Sequence, residues 1–273
     1  MARYPQWKPT TILRWIDAYH TSTGVVLVET DAGEGFLKAM GNPAGEHALA
    51  CELAGTNLAG MLGIPTLDFA IVEVGQADEI PLGDRVHMAL PGPAFITRAE
   101  KGTVWSGSEK VLERIQNPED IAKLVLLDTW IRNRDRCHPD TSHHRPKPDN
   151  VFLSIEGARR GKFILKAIDH THCFTDSGEL SGSAARIGWV KDEGVFGLFP
   201  GFRPFLRVSC VEAAVASLRA ITREQIREVI ESIPLHWHVT SGAGVALGEF
   251  VLQRRAFLID NFIDLLGKID SNG

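Results

Sequence analysis

Five polar residues stand where a polar side chain needs a reason. Lys38 interrupts the apolar run Phe36-Leu37-Lys38-Ala39-Met40. An ammonium there either snorkels to water from a sheet edge or meets an anion. Glu52 follows on a helical stretch that can aim a carboxylate back at the sheet, as a phosphate-holding lysine requires; alone, it reads equally well as a solvated glutamate. Asp135 lies in Trp130-Ile131-Arg132-Asn133-Arg134-Asp135-Arg136, just past an apolar helix, and Asn150 immediately precedes Val151-Phe152-Leu153. A carboxylate on such a loop can accept the proton of an attacking hydroxyl, and an amide oxygen before a strand can hold a metal on phosphates. The plainer alternative is an exposed ion-pair cluster of Asp135 with its flanking arginines. Asp169 ends the strand-like Ile164-Leu165-Lys166-Ala167-Ile168, placed to grip Mg²⁺ between two phosphates or simply to make a turn. In the order Lys, Glu, Asp, Asn, Asp, the five together point to phosphoryl transfer.

Bringing them to one place requires particular elements, and the sequence predicts them. Val25-Val26-Leu27-Val28 and Phe36-Leu37-Lys38-Ala39-Met40 are β-rich runs around Asp31-Ala32-Gly33-Glu34-Gly35, a hairpin signal. A helix is predicted over 45–62, with Leu49, Leu53, Leu58, Met61 and Leu62 on one face and Gly63 and Pro65 as its stop. Residues 67–74, 85–90 and 95–98 read as further strands. Asn117 is placed to cap a helix with Pro118 at its first position and Glu119 and Asp120 in its first turn; Ile121, Leu124, Val125 and Ile131 form its apolar stripe. Two short strands, 151–153 and 163–168, flank a basic turn. Ser209 with Glu212 and Thr222 with Gln225 have capping-box spacing, and 249–266 makes a long amphipathic closing helix. The pattern predicts a β-rich N-terminal lobe over 1–98, a linker over 99–110 and a helical C-terminal lobe over 111–273.

Composition narrows the function classes. The 273 residues suffice for one large domain or two lobes. With 44% apolar and 23% charged residues a packed core forms and wholesale disorder is excluded. The 29 basic residues against 34 acidic ones leave a net charge of −5, so there is no global basic field and direct nucleic-acid binding is not expected. Cys51, Cys137, Cys173 and Cys210 show no CxxC spacing, which suits a reducing compartment. The N-terminal stretch leads into no apolar signal segment. The best apolar run, 121–131, is broken by Lys123 and Asp128 and is too short to span a bilayer. A cytoplasmic protein without membrane contact is the expectation.

On these residues the sequence resembles the protein-kinase-like superfamily, and within it the HipA-like kinases most closely. The strongest carriers are Leu126-Leu127-Asp128-Thr129-Trp130-Ile131-Arg132-Asn133-Arg134-Asp135-Arg136, Asp149-Asn150-Val151-Phe152-Leu153 and Ile168-Asp169-His170. Leu62-Gly63-Ile64-Pro65, similar to the turn after the family's first helix, and Gly92-Pro93-Ala94-Phe95, similar to its lobe hinge, add support. The resemblance implies an α+β, bilobal protein-kinase-like fold with ATP and Mg²⁺ bound between the lobes. It implies that Lys38 holds the phosphates with Glu52 as its partner, that Asp135 is the catalytic base, and that Asn150 and Asp169 are metal ligands. Thr21-Ser22-Thr23-Gly24 becomes the phosphate-covering loop, so Ser22 and Gly24, with Phe95 and Ile96, are candidate nucleotide contacts. Serine/threonine protein kinase activity follows, with an unidentified protein substrate, an antitoxin-like partner as a further candidate, and Ser22 or a neighbouring threonine as a candidate autophosphorylation site.

Two departures stand out. Kinases place the metal-binding Asn about five residues after the catalytic Asp, whereas here 150 − 135 = 15. Either the base is Asp135 and the extra residues, including Pro139, His143, His144 and Pro146, bulge outward, which is the favoured reading, or the base is Asp140, or the protein is catalytically weak. Arg145 occupies the slot five before the Asn where a base would sit. The phosphate loop, moreover, has a single glycine. Cys137, His138, His143 and His144 match no zinc-finger spacing. His170, His172, His236 and His238, like Arg203 and Arg207 with Phe199 and Phe205, serve either packing or a substrate groove. Two rival functions remain open: a small-molecule or lipid kinase of the same superfamily, and a pseudokinase acting as a binding module.

Overall fold

The computed structural model describes residues 7–83, 86–175, 179–180 and 187–271. Period-two alternation builds its N-terminal sheet. Strands β1 (Ile12–Ala18), β2 (Val26–Thr30), β3 (Gly33–Lys38), β4 (Phe69–Val74) and β5 (Gly92–Arg98) pair antiparallel in the order β1-β2-β3-β5-β4. Val26, Val28, Leu37, Val72, Val74, Ala94 and Ile96 point to one face and form an outer core with Trp7, Ile80 and Leu82. Helix α1 (Glu46–Met61) joins β3 to β4 and packs on the other face. Eleven of its sixteen residues are buried, so it has no solvent stripe of its own, as expected of a helix that is apolar nearly all round.

The C-terminal part begins inside the predicted linker. Strand β6 (Gly102–Val104) pairs with β7 (Val151–Ser154), which pairs with β8 (Ile164–Ala167), so residues 102–104 belong to a second sheet. Around it lie α2 (Glu109–Leu112), α3 (Asp120–Ile131), α4 (Ile187–Val190), α5 (Val208–Ala220), α6 (Arg223–Glu231) and α7 (Ser241–Ser271). One large core holds α1, α3, α5 and α7 together. Within it the Trp130 indole donates to Val251 O at 2.8 Å. Arg254, fully buried on α7, donates to the carbonyls of Thr129, Trp189, Val190 and Asp192. Among the described residues no helix is long and apolar enough to cross a membrane.

Several predicted elements differ. The β1 strand gives no clean alternation because register shifts between Ile12 and Arg14 and between Trp15 and Asp17 break its period. The strand expected over 85–90 is absent from its described part, 86–90: Leu82 N and Ala89 N bond to His87 O and Ile80 O around one isolated Pro81–Met88 bridge, and Arg85 lies outside the described residues. Asn117 does not cap α3 by its side chain; its amide bonds both the N–H and the carbonyl of Leu165, pinning the helix start to β8. The Ser209 box does not form, since α5 already begins at Val208, whereas Thr222 and Gln225 make theirs. The closing helix starts at Ser241, not 249.

Candidate active site

Alternation along β3 sends Leu37 to the outer core and Lys38 to the face covered by α1. There the Lys38 ammonium donates to Glu52 Oε2 at 2.7 Å, to Asp169 Oδ1 at 3.1 Å and to Thr171 Oγ1 at 3.1 Å. Burial works against its charge, but Asp169 and Glu52 work harder in its favour, and Lys38 is held charged, its pKa above the ordinary lysine value. Burial would likewise raise the Asp169 pKa. The Lys38 charge and the Thr171 hydroxyl reverse this, holding the carboxylate well below its usual range. Asp169 sits at φ 59°, a left-handed turn that swings the chain back under α1. Next to it the backbone N–H of His170 donates to Glu52 Oε2 at 3.0 Å. This closeness depends on Gly55, where a Cβ would come within 2.4 Å of His170 Cβ. Cys51 and Cys173 donate their thiols to each other's carbonyls, at 3.4 and 3.5 Å, fastening the same helix to the same segment.

The second half of the site grows from the end of α3. Arg132 terminates the helix in the left-handed conformation, and Asn133 N returns to Asp128 O. Asp135 then accepts a hydrogen bond from Asn150 Nδ2 at 3.0 Å and pairs with Lys147 Nζ at 2.6 Å. Fifteen residues separate Asp135 from Asn150 in sequence, yet they touch, because the chain between them is pinched off. Lys147 N bonds Arg136 O at 2.8 Å, closing residues 137–146 into a largely exposed loop. Arg136 itself is fully buried: its guanidinium donates to Asp128 Oδ2 at 2.7 Å and to the carbonyl of Asn150. One residue therefore fixes both ends of the insertion.

The β7–β8 hairpin joins the two halves. Val151 is the register partner of Ala167, so Asn150 and Asp169 leave the same end of the hairpin. Lys38, Glu52 and Asp169 thus form one bonded network and Asp135 and Asn150 another, and the hairpin carries Asp169 and Asn150 at the same end. Asn150 commits its amide N–H to Asp135, leaving Oδ1 available, and Asp169 Oδ2 lies outside the bonds to Lys38 and Thr171. One amide and one carboxylate oxygen are hard donors of the kind Mg²⁺ takes when phosphates complete its shell.

The remaining predicted residues fall elsewhere. Ser22 and Gly24 lie in the β1–β2 turn, which closes through Tyr19 N to Val25 O and Gly24 N to Thr21 O. Gly24, at φ 60°, packs on Leu82 and Gly83, where a Cβ would sit 3.0 Å from Leu82 Cβ; Ser22 is exposed. Phe95 is the register partner of Lys38 and stacks on Phe69 beneath the sheet, whereas the Ile96 side chain is sealed in the outer core, so this side chain faces away from the Lys38 network. Gly92-Pro93-Ala94-Phe95 opens β5 rather than forming a hinge. Asp140 stands in the exposed loop with its carboxylate held by Ser142 N and Oγ. The Cys137 thiol faces inward to Leu198 O while His138 and His144 pack ring on ring at 4.0 Å, so that cluster divides. Phe199 packs with Trp105 and Phe202, a core role.

Sequence reasoning missed Arg136, Asp128, Lys147 and Thr171. The available signal was Asp128 inside the apolar run Val125-Leu126-Leu127-Asp128-Thr129-Trp130, since a carboxylate buried in a helix stripe demands a cation.

His170 carries a pH consequence. Burial depresses its pKa well below the ordinary histidine value, with the charge of Arg136 acting in the same direction, and it folds neutral. The unfolded chain therefore binds a proton that the native state does not, and stability must fall as pH drops below about 6.5. In metal-free buffer, urea unfolding should show a loss approaching ~1.4 kcal/mol per pH unit between pH 6 and 5. His170→Phe should remove most of that slope, a smaller part remaining with His138, whose pKa burial also lowers. A wild-type midpoint unchanged from pH 7.5 to 5 would refute the assignment.

Comparison with known proteins extends this picture. Over 92% of its length the chain superposes on 96% of the crystal structure of a Helicobacter pylori proinflammatory kinase, CtkA, with a TM-score of 0.59 at 10% sequence identity, a likeness of fold. No curated protein matches the chain. Its residues 19–186, which carry Lys38, Glu52, Asp135, Asn150 and Asp169, match the model of the HipA-like kinase family, and the chain belongs to that family.

Proposed function

We propose that this kinase transfers the γ-phosphate of ATP, as its Mg²⁺ complex, to the hydroxyl of a protein serine or threonine. The observation that carries the reading is the Asp135–Asn150 hydrogen bond, formed across the insertion and beside the Lys38–Glu52–Asp169 network. Phosphoryl transfer asks little covalent chemistry of a protein; it asks for positioning and charge neutralisation. Lys38, kept charged, would hold phosphate oxygens while Glu52 fixes its direction. Asn150 Oδ1 and Asp169 would hold Mg²⁺, which supplies a positive centre for the phosphate oxygens when bound. The Asp135 carboxylate would orient the acceptor hydroxyl and accept its proton, with Lys147 alongside to offset local negative charge.

Of the three hydroxyls in the β1–β2 turn, Thr21 Oγ1 accepts from Val25 N and Thr23 is buried, so Ser22 is the one presented for modification. Incubation with γ-labelled ATP and Mg²⁺ should add label to the chain itself, abolished by Ser22→Ala and by Lys38→Met. Label passing instead to small hydroxyl compounds would favour the small-molecule or lipid kinase. Nucleotide-dependent thermal stabilisation without transfer would mark a binding module and overturn the proposal.

A further inference from the structure

The Thr171 hydroxyl occupies an unusual position in this network. The residue is 2% exposed, and its Oγ1 accepts from Lys38 at 3.1 Å while lying 2.9 Å from Glu52 Oε2 and 2.8 Å from Asp169 Oδ1. A hydroxyl has one proton to give, so it bonds one of these carboxylates at a time. Lys38 has three N–H donors, and all three are engaged, with Glu52, Asp169 and Thr171. A phosphate oxygen can bond Lys38 only by displacing one of them. Releasing a carboxylate gives up a charge-assisted bond, whereas releasing a neutral hydroxyl gives up a weaker one. Glu52 Oε2 meanwhile keeps the His170 N–H and lies within reach of the Thr171 proton.

We propose that Thr171 is a positioning residue whose hydroxyl holds the third donor of Lys38 until phosphate replaces it, while its proton, placed between Glu52 and Asp169, keeps the two carboxylates ordered. The inference rests on the nucleotide-phosphotransfer reading and assigns a role to a side chain that reading does not use. Its signature is two effects of opposite sign. Without the hydroxyl, Lys38 offers phosphate an unengaged donor, while the carboxylates lose the group that orders them.

The test compares wild type, Thr171→Val and Thr171→Ser by calorimetric binding of ADP without divalent metal and by turnover of γ-labelled ATP. Thr171→Val should bind metal-free ADP more tightly, on the order of several-fold, and lose on the order of tenfold in kcat. Thr171→Ser, which keeps the hydroxyl and drops the methyl, should match wild type in both. A purely structural threonine would lower binding, turnover and unfolding temperature in parallel. That outcome, or a serine variant as impaired as the valine one, overturns the proposal. Wild-type binding and transfer with Thr171→Val indistinguishable from it overturns the proposal alone; a wild type that binds no ADP overturns the phosphotransfer reading and the proposal with it.

Discussion

Asp135→Asn is expected to lower kcat by about a hundred- to ten-thousandfold, the range for losing a positioned general base. The affinity for Mg-ADP should stay within about twofold, because Asp135 touches neither Lys38 nor Asp169. The amide keeps the shape and an oxygen toward Asn150 Nδ2, but it cannot take the acceptor's proton. Asp140→Asn is the matched control: its carboxylate is tied to Ser142 in the exposed loop, so turnover should not change. Steady-state kinetics with calorimetry on the three proteins reads both quantities. A fully active Asp135→Asn, or an inactive Asp140→Asn, would move the base from one residue to the other.

The second large effect concerns the support beneath that loop. Arg136 and Asp128 form an ion pair in which both side chains are 0% exposed. Burial raises the Asp128 pKa, and Arg136 opposes the rise. Removing one partner leaves an uncompensated buried charge, so Arg136→Met should cost ~3–5 kcal/mol of folding stability. Replacing the pair with apolar side chains avoids that penalty. Arg136→Met with Asp128→Leu should therefore recover much of the loss in urea unfolding, helped by Arg136 Nη2 having no hydrogen-bond partner among the described residues. Turnover should not recover, because the Asn150 carbonyl has lost its anchor and Asn133 Nδ2 its acceptor. A double variant as active as wild type would show that the pair stabilises the fold without setting the catalytic geometry.

The sequence made the strands around Lys38 and the helix bearing Glu52 legible because both faces of the hairpin and the Gly63–Pro65 stop leave local marks. It also placed Asp135, Asn150 and Asp169 at element ends, where loops carry chemistry. What stayed hidden was non-local. The bulged β1 strand blurs its own periodicity. Ile96 and Phe95 are neighbours in sequence on opposite faces of β5, so a hinge argument could not separate them. Arg136 looked like one more surface arginine beside Arg134, since nothing within a few residues reveals that Asp128 waits beneath it. The gap between Asp135 and Asn150 was legible as an outward loop, but the backbone bond between Arg136 and Lys147 that closes it leaves no mark in the sequence.

The packing of α1 sets a boundary on how such an enzyme can be governed. Besides its buried surface, the helix region is clasped from the far end of the chain: His238 O meets His47 Nε2 at 3.3 Å, and the Trp237 indole donates to Pro93 O at 2.8 Å. Pivoting Glu52 away from Lys38 would tear open the common interior of both halves, a cost on the scale of unfolding rather than of signalling. Swinging this helix is therefore a costly way to switch the activity. Ser22 in the β1–β2 turn and residues 139–143 of the looped-out segment, by contrast, stand exposed, and a change there leaves the buried contacts of the helix in place.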